Sequence, residues 1–127
     1  MNGVGPAKAL VCEDDPAVRR VITTVLEQLG VSVIAEIDML SNVPRLVRYG
    51  GPDIVILDLV LVGTSSGHEA LADLADMAKS VTVVVFSAHD TLRDQALAAG
   101  AYAFVDKPDF DRLAAVVAEV VTATAAG

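Results

Sequence analysis

The chain of 127 residues has no tryptophan, one cysteine, and far fewer basic residues than acidic ones, 9 against 17. Each scarcity excludes something. The lone Cys12 has no partner for an internal disulfide and fits a reducing cytoplasm. It stands in an apolar run, where a small buried thiol is the ordinary reading. A net charge of −8 argues against nucleic acid or an anionic membrane as a direct ligand. No apolar run reaches the ~18 residues of a membrane-spanning helix, and no signal peptide opens the chain. Repeats, low-complexity tracts and internal linkers are missing too, as is a glycine-rich phosphate loop after the first strand pattern. What is present is apolar: 54% of the chain is hydrophobic, largely alanine and valine, enough for one domain with a sizeable core. We expect a single domain over 1–127, its core at about 8–122, with a short flexible lead-in and a tail that frays or opens a linker.

Apolar runs alternate with helical patterns five times. "KALVC" (8–12), "VSVIAE" (31–36), "DIVIL" (53–57), "VTVVVF" (81–86) and "AYAFV" (101–105) predict strands. Between the first two, Val18, Val21, Ile22, Val25, Leu26 and Leu29 fall at offsets 0, 3, 4, 7, 8 and 11, one helical face. Asp15 suits its N-cap, Pro16 the first helical position and Gly30 the stop. Further helices are expected over 42–49, 67–78 (Ala70, Leu71, Leu74 and Ala78 inward), 91–99 and from about Asp109, with Phe110, Leu113, Val117, Val120 and Val121 inward. Strands that are apolar throughout, alternating with helices, imply an α/β fold with a parallel sheet covered on both faces. Ligand sites of doubly wound sheets lie at the carboxyl ends of the strands.

The residues leaving those strands carry the chemistry. Glu13, Asp14 and Asp15 follow the first strand, Asp58 the third, Ser87 and Ala88 the fourth, and Asp106, Lys107 and Pro108 the fifth. Singly each has an ordinary explanation: Asp15 caps a helix, Ser87 and Lys107–Pro108 sit in turns. Asp58 lacks one, because four apolar residues, Leu59 to Val62, follow it and no helix is expected to start there to be capped. Glu13, Asp14 and Asp58 sum to −3, which a divalent cation together with Lys107 would bring to zero. Oxygen ligands that leave room for water favour Mg²⁺. A metal beside a carboxylate, with a lysine and a hydroxyl around it, suits phosphoryl transfer to Asp58.

These residues resemble the receiver domain of two-component response regulators. "LVCEDDPAVRR", "IVILDL", "VVVFSAHD" and "AGAYAFVDKP" occur in the family's order, with 44 residues from Asp14 to Asp58, 29 from Asp58 to Ser87 and 20 from Ser87 to Lys107. The resemblance implies a five-stranded parallel sheet in order 2-1-3-4-5 with five helices. It implies that Asp58 is the phosphoacceptor, that Glu13, Asp14, Asp58 and the backbone carbonyl of Val60 hold Mg²⁺, and that Ser87 and Lys107 contact the phosphoryl group. Ala88 leaves that group access, Phe104 takes the position of the switch aromatic with Ser87, and the Lys107–Pro108 bond is often cis. Expected partners are a histidine kinase or phosphotransfer protein and a downstream protein or output domain met through helix 4, strand 5 and helix 5; a homodimer is left open. The expected location is the cytoplasm. Beyond self-catalysed phosphotransfer and dephosphorylation no enzyme activity is implied.

The sequence departs from the family after Asp58. Leu61 and Val62 stand where the family has Met-Pro, Ser66 where it has Gly, and Gly67 comes one place late. The alternative reading is a receiver-like interaction module that is never phosphorylated. A dehalogenase-like phosphatase fits poorly, since "EDDPAV" lacks that family's nucleophile motif. His89 and His68 read as solvated residues without metal-ligand partners.

Overall fold

A computed structural model of the chain describes residues 6–38, 42–59, 67–88 and 90–126. Five strands, β1 (Lys8–Cys12), β2 (Ser32–Ile37), β3 (Ile54–Leu57), β4 (Thr82–Ser87) and β5 (Ala103–Asp106), form one parallel sheet in the order β2-β1-β3-β4-β5. The helices between and after them are α1 (Pro16–Gln28), α2 (Val43–Gly50), α3 (Gly67–Met77), α4 (Arg93–Ala99) and α5 (Phe110–Ala126); a turn of 3₁₀ helix, Asp90–Leu92, leads into α4.

The sheet is buried on both faces because alternate residues of each central strand feed different cores. Leu10, Cys12, Val55, Leu57, Val83 and Val85 pack with Val43, Leu74, Met77 and Ala96, under α2, α3 and α4. Ala9, Val11, Ile54, Ile56, Val84 and Phe86 pack with Ile22, Leu26, Leu113 and Val117, under α1 and α5. Each of the larger side chains contributes about 1.5–3 kcal/mol by leaving water. This two-sided burial explains why β1, β3 and β4 read as unbroken apolar runs.

Three expectations need correction. Strand β2 is not apolar throughout: Ser32, Ile34 and Glu36 alternate outward with the half-buried Val33, Ala35 and Ile37, as suits an edge strand. Val21 does not join the buried face of α1 and is 41% exposed, since a straight helix meets the sheet along a stripe narrower than its apolar arc. On α5, Val116 is fully buried although the inward set leaves it out, while Phe110 and Val121 are only partly covered. Boundaries otherwise move by one or two residues. The start of α1 is as expected: Asp15 Oδ1 accepts from the amides of Ala17 and Val18 at 2.9 and 3.3 Å, and Pro16 occupies the first turn.

Register brings the strand ends level. Cys12 pairs with Leu57, Leu57 with Val85, and Ser87 with Asp106. The next residues, Glu13, Asp58 and Lys107, therefore leave their strands along one rim.

Candidate functional site

Backbone hydrogen bonds continue past the ladders and fix these departures. Glu13 N donates to Ile37 O at 2.9 Å, Asp58 N to Cys12 O at 3.1 Å and Lys107 N to Ser87 O at 3.1 Å. The Glu13 side chain is buried at 1% exposure, Ser87 is fully buried, Asp58 is 6% exposed, and Asp14 is half-buried. Ala88 beside them is open to solvent. The Lys107–Pro108 peptide is cis, as the resemblance implied.

The ammonium of Lys107 joins the acids. Its Nζ lies 2.9 Å from Asp58 Oδ2, within hydrogen-bond geometry, and 2.5 Å from Glu13 Oε1. The second contact is a close, charge-assisted pair that holds the buried Glu13 Oε1 against the ammonium. Glu13 Oε2 accepts from the Asp15 amide at 3.1 Å. Burial raises the Glu13 pKa, and the Asp58 charge adds to this, against the pull of Lys107 and the Asp15 amide. For Lys107 burial acts downward, but the two carboxylates outweigh it and hold the ammonium above its ordinary value. Below the rim, burial and the same carboxylates push the Cys12 thiol up to about 12, so it stays protonated and inert.

Glu13, Asp14 and Asp58 each offer a carboxylate oxygen, and the three atoms lie within 4.8 Å of one another. Three hard carboxylate oxygens gathered at one rim, with more negative charge than Lys107 alone offsets, fit a small hard cation that keeps water ligands. The Val60 carbonyl, His89 and residues 61–66 of the atypical loop lie outside the described residues, and nothing is described of the His68 side chain.

Phe104 is 7% exposed and sits in the core cluster under α2, α3 and α4, so its ring is already inside. The Arg93 guanidinium lies over that ring, 4.7 Å from the centroid. It also donates to Phe104 O at 3.2 Å and to Asp106 Oδ2 at 2.6 Å. A second arginine, Arg19, donates from Nη1 to Glu13 O at 2.7 Å. The sequence assigns neither arginine a role: Arg19 stands inside the segment "LVCEDDPAVRR" and Arg93 early in the fourth helix, but which backbone oxygens they reach depends on the fold.

With the geometry in place, the chain can be set beside known proteins. The response regulator receiver domain family matches residues 9–118. The chain belongs to that family. Receiver domains are signalling domains of two-component systems governed by phosphorylation, rather than enzymes in the usual sense, and they generally bind Mg²⁺ at an acidic pocket. The chain is 30% identical over 105 residues to the transcriptional regulatory protein PdtaR of Mycobacterium tuberculosis, covering 81% of this chain and 50% of that protein. It is 32% identical over 117 residues to the DNA-binding transcriptional regulator NtrC of Azospirillum brasilense, covering 87% and 23%. It thus spans half or less of these curated relatives. Among solved structures, the signal receiver domain of the response regulator NarL from Mycobacterium tuberculosis superposes with a TM-score of 0.76 at 25% identity, covering 97% of this receiver and 98% of that chain. No helix among the described residues is long and apolar enough to cross a membrane.

Proposed function

We propose that this receiver takes a phosphoryl group from a phosphohistidine of a kinase or phosphotransfer protein onto Asp58, and that the modified site alters a partner-binding surface. The observation carrying this reading is the Lys107 ammonium held between Asp58 and Glu13 at the ends of three parallel strands. A carboxylate oxygen of Asp58 attacks phosphorus as the phosphorus–nitrogen bond of the donor breaks, and the departing imidazole keeps that electron pair. Lys107 stays protonated, as its raised pKa favours, and offers its charge to the developing phosphoryl oxygens. Ser87, buried at the end of β4, would donate its hydroxyl to one of them. The exposed, small Ala88 leaves that side open. Glu13, Asp14 and Asp58, with the Val60 carbonyl, are the groups that would hold Mg²⁺, which when bound neutralises charge on the transferring group.

The output surface in this reading is α4, β5 and α5, where Phe104, paired with Val85 of β4, lies under the Arg93 guanidinium. The partner is a downstream protein or an output domain, and the setting is the cytoplasm. Incubation with acetyl phosphate and Mg²⁺ followed by intact-mass measurement tests the assignment. Wild type should gain one phosphoryl adduct and Asp58→Ala none. An adduct of equal yield on Asp58→Ala would remove Asp58 from its role, and no adduct on wild type would favour the unphosphorylated interaction module.

A further inference from the structure

We infer that Arg19 is a positioning residue for the acidic cluster: by holding the Glu13 carbonyl it aims the Glu13 and Asp14 carboxylates at Asp58. The inference rests on the reading of that cluster as a divalent-cation site. The sheet ladder ends at Cys12, whose partners are Ile37 and Leu57. Beyond it Glu13 N still donates to Ile37 O, but the Glu13 carbonyl has passed the last ladder position. Arg19 Nη1 reaches back six residues from α1 and donates to that oxygen at 2.7 Å. The next peptide joins Glu13 to Asp14, so fixing this carbonyl fixes the plane from which Asp14 departs. The Asp15 amide holds Glu13 Oε2, and Asp15 in turn caps α1. The turn carrying two of the three acids is thereby tied to the sheet, to its own helix and, through Arg19, to the first turns of α1.

A second contact on Arg19 offers a rival explanation. Its Nε lies 3.6 Å from Glu36 Oε1, at a carboxylate that is 41% exposed. Such a surface pair contributes little and does not touch the site. The rival and the inference differ in sign. If Arg19 acted only through its charge, removing a cation near three carboxylates would tighten Mg²⁺ binding. If it acts by aiming them, removal weakens binding although no ligand is lost.

The test is Mg²⁺ titration followed by amide NMR shifts on wild type, Arg19→Ala, Arg19→Lys and Glu36→Gln, with a thermal melt for each. Supporting groups behind metal ligands commonly change affinity by about 10–100-fold, and for a rim site we expect the low end, roughly 10-fold weaker for Arg19→Ala. Arg19→Lys, which keeps a donor and the charge, should recover part of the loss. Glu36→Gln should bind as wild type does. Tighter or unchanged binding in Arg19→Ala, whatever its melting temperature, overturns the inference. Absence of saturable binding in wild type overturns the cation reading itself, and the inference with it.

Discussion

Replacing Lys107 by methionine keeps an unbranched stem and removes the ammonium. The side chains left behind are Glu13 and Asp58, 1% and 7% exposed, which lose their shared counter-charge. Removing one partner of a buried ion pair costs about 3–5 kcal/mol. Lys107 is itself 18% exposed, so water screens part of the interaction and we expect ~2–3 kcal/mol at pH 7. For a domain of this size that lowers the melting temperature by about 10 °C. The pH dependence is the sharper signature. The folded pKa of Glu13 lies above its ordinary 4.5, so its contribution to stability is complete below that value and is lost as pH rises through the folded pKa. Lys107 opposes that rise, so in Lys107→Met the folded pKa climbs further and the penalty grows from acid to neutral pH. Lys107 in wild type has the other limb: its raised pKa gives stability that is present below 10.5 and lost as pH rises through the folded value. Urea melts of both proteins in metal-free buffer from pH 4 to pH 8 provide the assay, urea being chosen because an ionic denaturant screens the pair. Added Mg²⁺ should restore part of the loss by binding only the folded state. A penalty that is flat across this range, or below about 0.5 kcal/mol at pH 7, would refute the reasoning.

Two further outcomes follow from the far end of the sheet. Arg93→Ala should loosen β5: the ring of Phe104 loses its cation and the Phe104 carbonyl its donor, so amide exchange across Ala103–Asp106 should quicken several-fold, and unchanged protection would show the guanidinium is dispensable. Gly100 ends α4 at φ +116°, and a Cβ there would lie 2.9 Å from Ala78 Cβ; Gly100→Ala should cost about 1–3 kcal/mol in urea melts, and a neutral effect would mean that neither strain nor crowding is felt.

The fold was legible because its signals are local and repeated. The offsets from Val18 to Leu29 are a helix whatever it packs on, and "IVIL" has no polar face to expose. What escaped was the width of each contact: Val21 belongs to the apolar arc of α1 and still faces water, because only the sheet decides where the stripe ends. The same division runs through the site. Strand ends could be marked as a group, since a parallel sheet gathers them. That Lys107 meets Glu13 as well as Asp58 could not be read, for the pair is formed by register across β1, β3, β4 and β5. Nor could the inward position of Phe104 under Arg93, which depends on a helix that the sequence shows only as a short amphipathic run.

The acids and the lysine are not mounted equally. Glu13 and Asp58 hang from β1 and β3, each bonded to a strand on either side, whereas Lys107 follows β5, an edge strand bonded only to β4. The anionic half of the site thus stands on central strands and the cationic half on an edge strand. In the proposed switch, a change of charge at Asp58 would reach β5 through Lys107, and the Arg93 guanidinium, bonded to Asp106, would link it to the first turn of α4.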